Sequence, residues 1–155
     1  MTGDGTRLVA WADEMRRAHS RLRDALSVVR TAAEAGEDVP APERELLLFC
    51  HGFCAALGGH HEAEDGMLLP ALRQQQPELA PVIERLTQDH EAISRLLHDL
   101  RDALDRRLPP DRLLGHLDGI GAIVESHFRY EERELLPVLA GVRLDLGPRA
   151  AFGDL

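Results

Sequence analysis

The sequence contains no lysine. All 18 of its basic residues are arginine, set against 27 aspartates and glutamates, for a formal net charge of -9. No basic run interrupts that acidic balance, which argues against nucleic acid or an anionic membrane surface as a partner. The missing lysine itself is read as genome composition rather than chemistry. Long apolar runs are also missing. No stretch approaches the roughly 18 residues that a membrane span needs, and the N-terminus lacks the apolar core of a signal sequence, so a cytoplasmic location is expected. The only cysteines, Cys50 and Cys54, lie four apart within a helical pattern. That placement disfavours a structural disulfide and points to reduced thiols. There is no convincing alternating strand. Nor is there a glycine-rich strand-to-helix turn of the kind that cradles a flavin or nicotinamide cofactor. Any electrons this protein uses are therefore expected from an external reductant.

What is present reads as one all-α domain over residues 1–155. Hydrophobic residues make up 44% and charged residues 29%, an ordinary globular balance for a chain long enough to bury a core without staples. Apolar residues at helical spacing predict a first helix from about Thr6 to Ala35, carrying Leu8, Trp11, Met15, Leu22, Leu26 and Val29. Gly36, Pro40 and Pro42 separate it from a second, running through Leu46, Phe49, Phe53 and Leu57 to near Pro70. The stretch Pro70–Pro81 reads as a connector with room for a short helical turn. A third helix follows from about Pro81 to Leu108, with Val82, Leu86, Ile93, Leu97 and Leu100 turned inward. After Pro109 and Pro110 a fourth extends from near Asp111 to about Ala140. Residues 141–155 read as a loosely packed tail. Four helices with short connections predict an up-down-up-down antiparallel four-helix bundle over about 6–140.

An internal repeat carries the most information. HHEAEDGMLLP begins at His60 and HFRYEERELLP at His127; each reads His-x-x-x-Glu, then an acidic residue, then leucines and a proline. A single histidine precedes each copy at a similar distance, His19 before His60 and His90 before His127. Each half is thus a helix with one histidine, a turn, and a helix with His-x-x-x-Glu. Residues four apart share a helix face, separated by roughly 6 Å along the axis. His60 with Glu64 and His127 with Glu131 can therefore converge on one metal pair, the glutamates bridging and the histidines capping. Bridging carboxylates set two ions roughly 3.5–4 Å apart. An imidazole and carboxylate donor set without thiolate suits iron or manganese, with zinc a possible substitute. A lone histidine or a single His-x-x-x-Glu is more often structural or solvated; the repetition is what favours metal.

These motifs resemble those of hemerythrin-like domains, the HHE cation-binding family, and the resemblance runs from His19 to Pro137. It implies a non-haem di-iron centre of two iron ions joined by an oxo or hydroxo bridge. Its terminal imidazoles would come from His19, His60, His90 and His127, and its bridging carboxylates from Glu64 and Glu131. O2, hydrogen peroxide and nitric oxide are the small ligands it implies. The chain departs from the oxygen-carrying hemerythrins at Ser94, where those proteins place a second third-helix histidine. It departs again at Glu131, where they use an aspartate five residues after the histidine. Reversible oxygen carriage is therefore not transferred directly.

His61 is rotated by roughly 100° from His60 and reads either as an extra ligand, as in some relatives, or as a neighbour of the ligands. Asp65 and Glu132, equivalent in the repeat, either orient ligand histidines or are solvated. Gly58 and Gly59 either leave room for a small ligand or serve close helix packing. His116, about 16 Å from His127 along its helix, is too distant to ligate and reads as a core or bundle-end residue. His51 is expected to be exposed, and His98 has no identifiable partner.

Three functions follow as expectations. The first is an oxidoreductase that decomposes hydrogen peroxide or turns over nitric oxide or O2. The second is a non-enzymatic oxygen- or iron-binding and sensing module. The third is a bundle whose site is structural and holds zinc or no metal. The sequence does not choose among substrates, redox partners or oligomeric states.

Overall fold

The computed structural model describes residues 10–35 and 42–155, with side chains of the second helix from Phe49 onward. The expected helix start at Thr6, Leu8, the Gly36 and Pro40 break and the side chain of Leu46 lie outside the described residues. Four long helices, α1 (Trp11–Ala35), α2 (Pro42–Ala63), α4 (Ala80–Asp105) and α5 (Pro110–Leu139), form the body, and no strand occurs among the described residues. Helix α1 packs against α2 and α5, and α4 packs against α5 and α2. Among the described residues no helix is long and apolar enough to cross a membrane.

The stripes that drive this packing are legible along each helix. In α4 the buried positions run Ile83, Leu86, His90, Ile93, Leu97 and Leu100, the three-and-four alternation of an amphipathic helix. His90 sits within that stripe, at a position where a leucine would ordinarily go. In α5, His127 and Glu131 likewise lie between buried Val124 and Leu135. The apolar core is thereby cut in two. One cluster, around Leu22, Leu57, Ile93 and Phe128, lies on one side; the other, around Met15, Leu68, Leu86 and Leu135, lies on the other. A polar layer of buried histidine and glutamate separates them. Burying so many polar groups is costly unless each finds a partner, so the layer demands an explanation in chemistry rather than in folding.

Two expectations are corrected. The stretch Pro70–Pro81 is not a plain connector. Helix α2 passes through one π-helical turn, Glu64–Leu68, into α3 (Leu69–Gln75), and a 3-10 turn, Pro77–Leu79, leads into α4. Proline at position 70 cannot donate to the carbonyl four residues back. The wider turn just before it, closed by the Leu69 N–H on the Glu64 carbonyl, lets the chain stay helical across the proline. The second copy of the repeat has no such turn; Pro137 falls inside the last turn of α5.

The tail is not loose either. Residues Pro148–Phe152 form a short helix, α6, with Ala151 and Phe152 buried against α2, the π turn and α1. Trp11 and Phe152 meet with ring centroids 6.1 Å apart. The apolar residues of 142–155 cover the second core cluster, and that burial offsets the entropy of ordering the tail.

Cys50 and Cys54 are free and buried. Burial, with the neighbouring Cys54 charge, pushes the Cys50 thiol up to about 12, and burial raises Cys54 as well. Both thiols are expected to resist a disulfide-exchange reagent in the folded protein and to react on unfolding. In the unfolded chain Cys50 ionises near pH 9, whereas the folded chain keeps the proton up to about pH 12. Its contribution to stability is therefore lost as pH climbs through that window, which urea titrations between pH 8 and 11 would detect.

Candidate metal centre

All seven sequence-predicted ligands meet in the polar layer. They form two groups whose ligand atoms lie within 4.8 Å of one another: His19, His60, Glu64 and Glu131, and His61, His90 and His127. All seven are buried. His61, left open by its position on the helix, falls with His90 and His127, its ring stacked on His90 at 3.9 Å and 14°. The roughly 100° between His60 and His61 sends the first into one group and the second into the other. Glu131 lies between them, with Oε1 3.3 Å from His19 Nε2 and Oε2 3.3 Å from His127 Nε2 and 3.9 Å from His90 Nε2. Glu64 Oε1 lies 2.6 Å from His60 Nε2.

A second set of groups fixes the rings from behind. Nδ1 of His90 donates to Asp65 (2.7 Å), Nδ1 of His127 to Asp89 (3.1 Å), and Nδ1 of His60 to the carbonyl oxygen of Phe152 (2.8 Å). His19 Nδ1 lies 3.4 Å from Glu132, a carboxylate that Arg23 also holds. An acceptor at Nδ1 leaves Nε2 free to face the centre. Asp65 and Glu132 are therefore the orienting members of the two expectations. Asp89 and Phe152 were not foreseen. Asp89 directly precedes His90 on α4 but serves His127 on α5, a cross-helix pairing with no mark in local spacing.

Apart from His90 Nε2 and His127 Nε2, which lie 3.1 Å apart as a hydrogen-bonded pair, the atoms facing inward have no such partners. His19 Nε2, His60 Nε2, His61 Nε2 and both oxygens of Glu64 and Glu131 are buried without a hydrogen bond. Even the short His60–Glu64 contact lacks hydrogen-bond orientation. Leaving that many buried polar atoms unsatisfied would cost about 1–3 kcal/mol each, and a cation shared among them removes the cost. The donor set of imidazole nitrogens and carboxylate oxygens, fixed from outside and unpaired inside, fits a pair of transition-metal ions.

Charges within the layer are strongly interdependent. Burial works against protonation of His19 and His90. The carboxylates of Glu131 and Glu132 nonetheless raise His19 to about 9, and those of Asp65 and Glu131 raise His90 to about 10. Burial lowers His60 to about 4 and holds His61 well below its usual value. Burial and the neighbouring Glu131 charge push Glu64 well up. Glu131 resists the same burial because the Glu64, His127 and His19 side chains face its carboxylate, and it is held well down. Without metal the layer is thus a buried Glu131 carboxylate facing protonated His19 and His90.

A pocket of about 270 Å³ between α2 and α4 reaches His61 and His90; Gly58, Asp65 and Ser94 also line it. A Cβ at Gly58 or Gly59 would meet nothing within 4 Å, so close helix packing does not explain these glycines. On the other side of the centre Phe128 stacks on His19 at 3.9 Å and 8°. His51 and His98 are exposed and His116 is half-buried, all outside the layer.

A family model described as the hemerythrin HHE cation binding domain matches residues 12–139, a span that contains every residue of both groups. Comparison with curated proteins and with solved structures returns no match.

Proposed function

Because the chain belongs to the hemerythrin HHE cation-binding family, we propose that it holds two iron ions and is an oxidoreductase acting on hydrogen peroxide, nitric oxide or O2. The observation that carries this reading is the set of buried, inward-facing nitrogen and oxygen atoms that make no hydrogen bond. His61, His90 and His127 would hold one ion, His19 and His60 the other, and Glu64 and Glu131 both. We read the four long helices as an up-down-up-down bundle, since only residues 106–109 separate α4 from α5 and so short a link joins antiparallel neighbours.

When bound, such an iron pair supplies two-electron chemistry toward a small oxidant. The chain's own residues do the rest. Asp65, Asp89 and the Phe152 carbonyl hold each ring's proton at Nδ1 and aim each Nε2 inward. The carboxylates offset the positive charge that an apolar interior could not otherwise hold. Phe128 and Phe152 exclude water on the His19 and His60 side. The pocket at His61 and His90 gives a diatomic or peroxide a way in to that side of the centre. An external reductant would restore the ferrous state. The apolar cover over His19 and His60 also favours a second reading, an oxygen- or iron-binding module that retains its ligand without turnover.

Anaerobic loading with Fe(II) followed by hydrogen peroxide, nitric oxide or air tests the proposal. Uptake of about two irons per chain, with consumption of one of these oxidants well beyond one equivalent, is the expected result. A stable, reversible oxygen adduct would instead establish the binding module. Retention of zinc with no optical response to oxidant would leave the site a structural one.

A further inference from the structure

The C-terminal segment lies outside the residues that match the family, yet it reaches the centre. Among the ring-orienting groups, Asp65, Asp89 and Glu132 are carboxylates; only His60 is held by a backbone carbonyl, from a residue 92 positions away in the chain. The side chain of that residue, Phe152, stacks on the same imidazole with centroids 5.9 Å apart and an interplanar angle of 16°. It is 3% exposed, held on its other flank by Trp11.

Gly153 makes this approach possible. Its backbone lies at φ 85° and ψ -177°, a conformation essentially closed to residues with a Cβ. A Cβ built there would stand 3.1 Å from the Gly59 carbonyl oxygen and 3.2 Å from the His60 nitrogen. Glycine at 153 lets the strap lie directly on the α2 backbone where His60 leaves it.

We propose that the strap Pro148–Gly153 is part of the metal-binding apparatus, with Phe152 the positioning residue for His60 and Gly153 the residue that lets it dock. The inference rests on the metal-centre reading above. A carbonyl oxygen can only accept, so it holds the His60 proton on Nδ1 and leaves the Nε2 lone pair facing the centre. Being uncharged, it places no counter-charge behind the ring, unlike the carboxylates behind His19 and His90. Among the orienting contacts the strap supplies only that of His60, in the group with His19, Glu64 and Glu131. Its loss would therefore act most directly on an ion at His19 and His60, and least on one at His61, His90 and His127.

The test compares the full-length chain with Gly153→Val, which expels the strap, and Phe152→Leu, which keeps both the carbonyl and an apolar side chain. Long-range proton–nitrogen NMR of the metal-free proteins reads the His60 tautomer, with helicity checked by circular dichroism. The Nδ1–H form is expected in the full-length chain and in Phe152→Leu, and a mixture with Nε2–H in Gly153→Val. After anaerobic Fe(II) loading and a ferrous chelator, Gly153→Val is expected to release about half of its iron about tenfold faster, the remainder leaving at the wild-type rate. If Gly153→Val loses helicity, Gly153→Ala, with the smaller side chain, carries the same comparison. An unchanged tautomer and unchanged iron release would overturn the inference and leave the strap as packing alone. A wild-type chain that takes up no iron overturns the metal reading itself, and this inference with it.

Discussion

Replacing Glu131 with alanine is expected to reduce metal content from about two ions per chain to about one or fewer and to destabilise the metal-free protein as well. Among the described residues Glu131 is the carboxylate that lies within reach of His19, His90 and His127 together, so under the proposed reading each ion would lose a ligand. The metal-free effect comes from charge. His19 and His90 carry raised pKa values of about 9 and about 10, and the nearby Glu131 carboxylate is among the causes in both. Without that anion two buried imidazoles must give up protons or face each other charged. Breaking a buried ionic cluster by removing one partner costs about 3–5 kcal/mol.

The companion substitution Glu64→Ala separates the two effects. Burial and the Glu131 charge push the Glu64 carboxyl well above its usual value in the absence of metal. Its removal is expected to abolish paired metal binding while costing the metal-free chain much less than Glu131→Ala does. Metal analysis with urea titration of both variants checks this. Equal metal-free losses would refute the charge assignment in the layer.

The metal-free protein is expected to lose stability at alkaline pH, and the metal-loaded protein to be spared that loss. With folded pKa values of about 9 and about 10, His19 and His90 lend the metal-free chain stability that is fully present below the unfolded value of 6.5. That stability is lost as pH rises toward 9 and 10, because the folded state holds protons that the unfolded state has released. The upward shift of Glu64 acts in the same direction. His60 has the reverse sign. Its folded value of about 4 means that stability is lost as pH falls from 6.5 toward 4.

Metal binding abolishes the alkaline limb. A cation needs the lone pairs that His19 and His90 use for protons at neutral pH, so metal uptake must release those protons. Each one makes apparent affinity rise about tenfold per pH unit below the pKa it leaves. Between pH 7 and 9 the Tm of the metal-free protein should fall, while the gap between metal-free and metal-loaded protein widens. A weakly buffered solution should acidify on metal addition. A metal titration at pH 7 with no proton release would rule out protonated His19 and His90.

Much of this was written in local spacing. The three-and-four alternation in α1, α4 and α5 marks the buried faces, and His90, His127 and Glu131 stand within those faces as leucines would. The duplicated His-x-x-x-Glu with its preceding histidine identified six of the seven residues that converge, His61 being left open, because a helix turns spacing directly into direction. Spacing failed at the joints. Pro70 reads as the end of a helix, and only the π turn at Glu64–Leu68 shows how the chain remains helical through it. Residues 142–155 have too weak a pattern to predict a helix, and α6 exists because Phe152 finds a site between Trp11 and His60.

The sequence by itself determined the helical class, the family, and six of the seven side chains of the polar layer, since each depends on residues near one another in the chain. Only the tertiary structure decided how those seven divide. His60 and His61 are adjacent in sequence, and which flank of α2 meets which neighbouring helix placed one with His19 and the other with His90 and His127. The same holds for Asp89 behind His127 and for the Phe152 carbonyl behind His60. Those contacts join separate helices, and helical periodicity fixes the direction of a side chain but not the partner waiting there.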